Sequence, residues 1–150
     1  MGRLQYWQDR LESRLRKLHG THWNVIFNKL MRKATTLKAS LKKRSREADV
    51  HCNISVTEIR EMIINVYGKQ CKYCDTRILH KNMACDHISP LSCGGESTVD
   101  NLQFICNRCN TRKGPLTNDE YKRVLKWLKR QPEHVFKYIL RKLSKGDLFR

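Results

Sequence analysis

Two C-x-x-C pairs, "CKYC" at Cys71 and Cys74 and "CNRC" at Cys106 and Cys109, constrain this chain more than any other feature. A two-residue gap lets one tight turn aim two sulfurs at a single ion, and Zn²⁺ favours four soft ligands in a tetrahedron. Together the pairs make one closed site, structural because no position is left for water. Thirty-one residues separate Cys74 from Cys106, more than the roughly 15 to 20 of a simple zinc ribbon. An insert therefore sits inside the clip, pinned at both ends. Two independent redox motifs are the competing reading, but pairs that bracket one segment, each at an expected turn, favour zinc. Cys52, Cys85 and Cys93 have no partner at ligand spacing.

Seven cysteines is an odd number, and the opening "MGRLQYWQDRLESRL" contains no apolar signal region. A secreted disulfide framework fits poorly, and no run is apolar enough to span a membrane. The expected location is intracellular, in bacterial or phage-infected host cytoplasm. The 31 Lys and Arg against 14 Asp and Glu give a formal charge of +17. Self-repulsion of that size opposes folding, so it usually answers a polyanion; solubility alone is served by mixed charge. A mean hydropathy of −0.68 leaves little apolar material for a large core, which is where a metal staple helps.

Apolar residues recur at helical spacing from Leu4 through Trp7, Leu11 and Leu15 to Leu18. Gly20 can close that helix and Thr21 can cap a second, with Trp23, Ile26, Phe27, Leu30, Met31, Leu37 and Leu41 on its stripe. The run "LKKRSREADV" loses the apolar period and reads as a helix end or a linker. Ser55 with Glu58, and Thr117 with Glu120, are capping boxes that open two further helices, and Pro132 starts a last one. The segment from "KNMACDHI" through "STVDNLQFI" contains two short strand-like pieces, separated by Pro90, Gly94 and Gly95.

Inside the clip lie Asp86, His87 and Asn101, with Asn110 just beyond. A carboxylate and an amide carbonyl are hard oxygen ligands suited to Mg²⁺. A histidine can take a proton from water, and an Asn carbonyl can orient its ring. If "NRCNTRK" begins a helix, Lys113 shares a face with Asn110 and can reach the same phosphate. Singly, each residue has a plainer explanation as a surface pair, turn former or cap. On an ideal strand Asp86 and His87 would point to opposite faces, so one site needs the strand to end or twist there.

The joint pattern "DHISPLSCGGESTVDNLQFICNRCNTRKG" resembles the HNH endonuclease family over about residues 71–114. The resemblance implies an α+β fold: a small zinc-stapled ββα-metal core flanked by N- and C-terminal helices, mostly helical overall. With the helical patterns at either end, the chain divides into residues 1–50 as a basic helical arm, 51–116 as the nuclease core and 117–150 as a helical extension expected to form one compact unit with the core. By position, His87 matches the general base, Asn101 the residue that orients it, and Asp86 a ligand of the catalytic ion. Asn110 falls where the family name has its final His; many members use Asn there as the second ligand, which favours Mg²⁺ or Mn²⁺. Lys113 matches a basic position near the phosphate. The resemblance further implies one structural Zn²⁺, double-stranded DNA as partner and a free-standing phage or mobile-element enzyme. One such site cuts one strand, so a monomer nicks and a double-strand break needs a second protomer or event; monomer and homodimer stay open. Lys42, Lys43, Arg44 and Arg112 are expected to contact DNA. The competing function is a zinc-stabilised nucleic-acid-binding module without chemistry. An interaction adaptor with a zinc knuckle leaves the charge unexplained.

Overall fold

The computed structural model describes residues 3–145. Helix α1 (Arg3–His19) ends where Gly20, at φ +54°, enters a single 3₁₀ turn, and helix α2 (Trp23–Glu47) folds back along α1. Thr21 does not cap α2: it lies within the turn, and His22 at the cap position makes no side-chain capping bond. Helix α2 ends at Glu47, inside the basic run 41–50 that reads as a helix end. Leu41 and Ser45 take its inward positions, so the buried face persists while the apolar pattern lapses.

Strand β1 (Cys52–Asn53) leads to helix α3 (Val56–Val66). Its capping box forms as read: the Glu58 N–H donates to Ser55 Oγ at 3.1 Å, and the Ser55 N–H to Glu58 Oε2 at 2.6 Å. Ile59 and Ile63 enter one continuous core with Leu11 and Leu15 of α1 and Leu30 and Leu41 of α2. Gly68, at φ +77°, turns the chain out of α3. A Cβ there would also press within 3.0 Å of Leu18 on α1.

Strands β2 (Met83–His87) and β4 (Leu102–Cys106) form an antiparallel pair in which Asp86 faces Gln103 and His87 faces Leu102. Every residue of β4 is buried, with Leu102, Phe104 and Ile105 in the same core as the helices. The loop between them folds onto itself. Strand β3 (Ser97–Thr98) pairs in parallel with β1, and the Gly95 N–H donates to Pro90 O at 3.0 Å. A side chain at Gly95 would meet Ser89 O at 1.9 Å, so only glycine permits this approach.

Helix α4 (Asn107–Lys113) starts directly at the second cysteine pair, with Cys106 Sγ accepting from the Cys109 N–H. Helix α5 (Asn118–Leu128) opens on the Thr117–Glu120 capping box, and α6 (Glu133–Leu143) follows Pro132. Tyr121 and Leu128 of α5 are buried, whereas the apolar stripe of α6 is only half-covered. The architecture is α+β, predominantly helical, with small strands and a four-cysteine cluster.

Candidate active site and metal centre

The sulfurs of Cys71, Cys74, Cys106 and Cys109 all lie within 4.8 Å of one another, and Cys74 and Cys106 approach to 3.6 Å. Zinc–sulfur bonds of about 2.3 Å in a tetrahedron place sulfurs about 3.8 Å apart, so the four residues fit a Zn²⁺ site. Three of them are buried. Hydrogen bonding from Cys109 holds the Cys71 thiol down at about 4, while the same contact and burial push Cys109 up. Crowded sulfurs of this kind share negative charge poorly, and a divalent cation relieves that.

The knuckles fix the two elements that carry the remaining site residues. Strand β2 ends at His87, and the two side chains take different partners, Asp86 meeting Lys113 and Gln103 while His87 meets Ser97. Both nevertheless line one open pocket of about 320 Å³ at the strand's end, together with Asn110 of α4. No hydrogen bond of the Asn110 side chain is found among the described residues; its backbone carbonyl accepts from the Gly114 N–H.

Asp86 is held on its inner side. Lys113 Nζ lies 3.2 Å from Oδ1 and 3.1 Å from Oδ2, and Gln103 Nε2 donates to Oδ2 at 2.6 Å. Lys113 also donates to the His87 carbonyl at 2.8 Å, and its side chain is 0% exposed. This corrects the expectation for Lys113. Helical spacing does put it on the face of Asn110, but that face meets β2, and the ammonium is consumed inside the protein.

Gln103 extends the arrangement. It donates to Asn118 Oδ1 at 2.7 Å and accepts from Lys72 at 2.7 Å. Its signal in the sequence was one amide within the otherwise apolar strand "LQFIC".

His87 is buried, and its Nε2 lies 2.8 Å from Ser97 Oγ, which lies 2.7 Å from Ser45 Oγ. With Nε2 engaged, Nδ1 is the nitrogen left to meet a water. Burial and the neighbouring Arg44 charge push the imidazole below its ordinary value, which keeps it neutral and able to accept a proton. Asn101 does not contact the ring. Its amide accepts from the Ser89 N–H at 2.8 Å and donates to Ser89 O at 3.0 Å and Glu96 O at 2.7 Å, while its carbonyl accepts from the Ile88 N–H. Asn101 thus braces the loop, and the side-chain contact expected of it is made by Ser97. The serines gave no sequence signal, because a hydroxyl relay between distant segments leaves no spacing to read.

The expected DNA-contacting residues separate. Lys42 and Lys43 are exposed on α2, with Lys43 3.8 Å from Glu47. Arg112 is half-buried and donates from Nε to Ser144 Oγ at 2.7 Å, tying α4 to the end of α6. Arg44 lines the same pocket as Asp86 and His87. Lys33, one of the basic residues of α2, turns inward and donates to Met83 O at 2.8 Å.

Residues 71–126 match a protein-family profile described as HNH endonuclease. A 46-residue stretch is also 44% identical to the CRISPR-associated endonuclease Cas9 of Corynebacterium diphtheriae. That stretch is 30% of this chain and only 4% of the relative, so the likeness is confined to one segment.

Proposed function

We propose, from the match of residues 71–126 to the HNH endonuclease profile, that this chain hydrolyses phosphodiester bonds of double-stranded DNA in a reaction dependent on Mg²⁺ or Mn²⁺. One observation carries the reading: Asp86, His87 and Asn110, from a strand end and a helix, converge on a single open pocket. A DNA-binding module has no need of oxygen ligands beside a neutral histidine.

Asp86 and Asn110 would hold the divalent ion, and the four cysteines one structural Zn²⁺. When bound, the divalent ion supplies positive charge at the scissile phosphate and the leaving oxygen. His87 Nδ1 takes a proton from a water, whose oxygen attacks phosphorus. The bond to O3′ breaks, O3′ takes up a proton, and the products carry a 5′-phosphate and a 3′-hydroxyl. Asn101 and Ser97 act as positioning residues, the first through the loop and the second at Nε2. Lys42 and Lys43, exposed on α2, serve the DNA backbone without reading sequence.

Supercoiled plasmid tests the reading. The wild type is expected to yield open-circle DNA with Mg²⁺ or Mn²⁺ and not with EDTA, while His87→Ala retains zinc and DNA binding but loses nicking. If both proteins bind plasmid tightly and neither cuts, the chain is the zinc-stabilised binding module. A specific observation gives that alternative its weight: both Asp86 oxygens are already engaged by Lys113 and Gln103.

Ser97 offers a finer test. Ser97→Ala leaves the ring unheld, and orienting partners of this kind are worth about 10- to 100-fold in activity. Cleavage at saturating protein should fall by that order with DNA affinity unchanged, and Ser97→Thr should recover part of it. Equal losses in both variants would mark Ser97 as only a packing residue.

A further inference from the structure

Arg44 belongs to α2, outside the segment that matches the endonuclease family, yet it forms a wall of the pocket lined by Asp86, His87 and Asn110. Its guanidinium lacks the company that half-buried arginines ordinarily keep. Nε is shielded from solvent and has no hydrogen-bond partner among the described residues. Glu47, the acid nearest on its helix, lies by Lys43. Asp86, the acid of the pocket, is offset by Lys113 at 3.1 Å. Arg44 lines the pocket together with Cys85, Asp86 and His87 of β2.

A guanidinium nitrogen shielded from water without a hydrogen-bond partner costs stability unless a ligand satisfies it. Among the pocket's own side chains Asp86 is paired with Lys113, His87 is neutral, and Arg44 is a cation without an anion partner, before any divalent ion adds its own charge. A phosphodiester carries one negative charge and gains another as water adds to it. The planar fork of arginine matches two phosphate oxygens at once, which an ammonium cannot do. Lys113, buried against Asp86 and the His87 carbonyl, cannot take that place.

We infer that Arg44 is the phosphate receptor of the pocket, binding non-bridging oxygens of the scissile phosphodiester across from Asp86 and Asn110. This assignment rests on the endonuclease reading for its consequence in cleavage, but not for the binding of phosphate itself. It also separates Arg44 from Lys42 and Lys43, whose exposed side chains meet the duplex outside the pocket.

Two measurements test it. In single-turnover nicking at saturating protein, Arg44→Ala should cut about 10²- to 10³-fold more slowly, the loss typical of removing one transition-state donor. DNA affinity should change less than about threefold, and Arg44→Lys should restore only part of the rate because it keeps charge and loses the fork. Separately, millimolar inorganic phosphate should shift the backbone amide resonances of Asn110 and Gly114 in the wild type and in His87→Ala, but not in Arg44→Ala. A wild type that never cuts yet shows the Arg44-dependent phosphate shift refutes the nuclease reading and leaves the receptor standing. Arg44→Ala cutting at the wild-type rate, or responding to phosphate as the wild type does, overturns the inference.

Discussion

Lys113→Ala should lower the stability of the whole domain by about 3–5 kcal/mol, the cost of leaving a buried charge without its partner. Its ammonium is fully enclosed, lies 3.1 Å from a carboxylate that is itself only 10% exposed, and donates to the His87 carbonyl as well. Without it, Asp86 keeps Gln103 Nε2 but faces a low-dielectric interior with its charge uncompensated. Total stabilities of single domains are about 5–15 kcal/mol, so the loss is a large share of what holds the fold. In thermal unfolding it corresponds to a fall of about 10 °C or more in Tm. Asp86→Asn in the same background should recover most of it, because the neutral amide no longer needs the ammonium. A lysine serving only the substrate would give the opposite pattern, with cleavage lost and Tm preserved. An unchanged Tm in Lys113→Ala would therefore refute the internal role.

Cys109→Ser should abolish cutting with Asp86, His87 and Asn110 all intact. Structural zinc contributes an apparent 10–16 kcal/mol in small domains, comparable to or larger than the stability of the fold itself. The geometry makes the dependence local too. Cys109 lies within the first turn of α4, Asn110 is the next residue, and Cys106 caps the helix through the Cys109 N–H. Bound zinc should drop from one per chain to none. A chelator strong enough to strip zinc from the wild type should have the same effect, reversed by Zn²⁺ with Mg²⁺ but not by Mg²⁺ alone. Retention of one zinc and of the wild-type Tm in Cys109→Ser would show that the four sulfurs are not the staple.

The elements with local causes were legible from residue order. Both capping boxes, the cysteine knuckles and the paired strands announce themselves within a few positions, because turn geometry and strand alternation act at that range. Contacts made by polar groups between distant segments were not. Spacing placed Lys113 beside Asn110, but only the docking of α4 on β2 decides that the ammonium meets Asp86 rather than solvent. The run 41–50 loses the apolar period and α2 does end within it, at Glu47, but Ser45 is buried where the stripe calls for an apolar residue. Its hydroxyl is satisfied by Ser97, 52 positions away, and no periodicity reports such a bond. Arg44 and Lys43 are adjacent and alike in sequence; one faces the pocket and the other solvent only because of how α2 lies across β2.

The seam between Ser45, Ser97 and His87 also has a meaning in time. Helices α1 and α2 are joined by three residues and can form their contacts on the microsecond scale of local structure. The clip closes once the two cysteine pairs share an ion. Docking α2 onto β3 joins segments with half a hundred residues between them, so its loop-closure entropy is recovered only late. A chain in which that docking is undone still has its zinc staple and its positive charge, while the imidazole swings free of its hydroxyl and the arginine wall is gone. On the proposed endonuclease reading, cleavage is then the property that partial opening of this seam removes first.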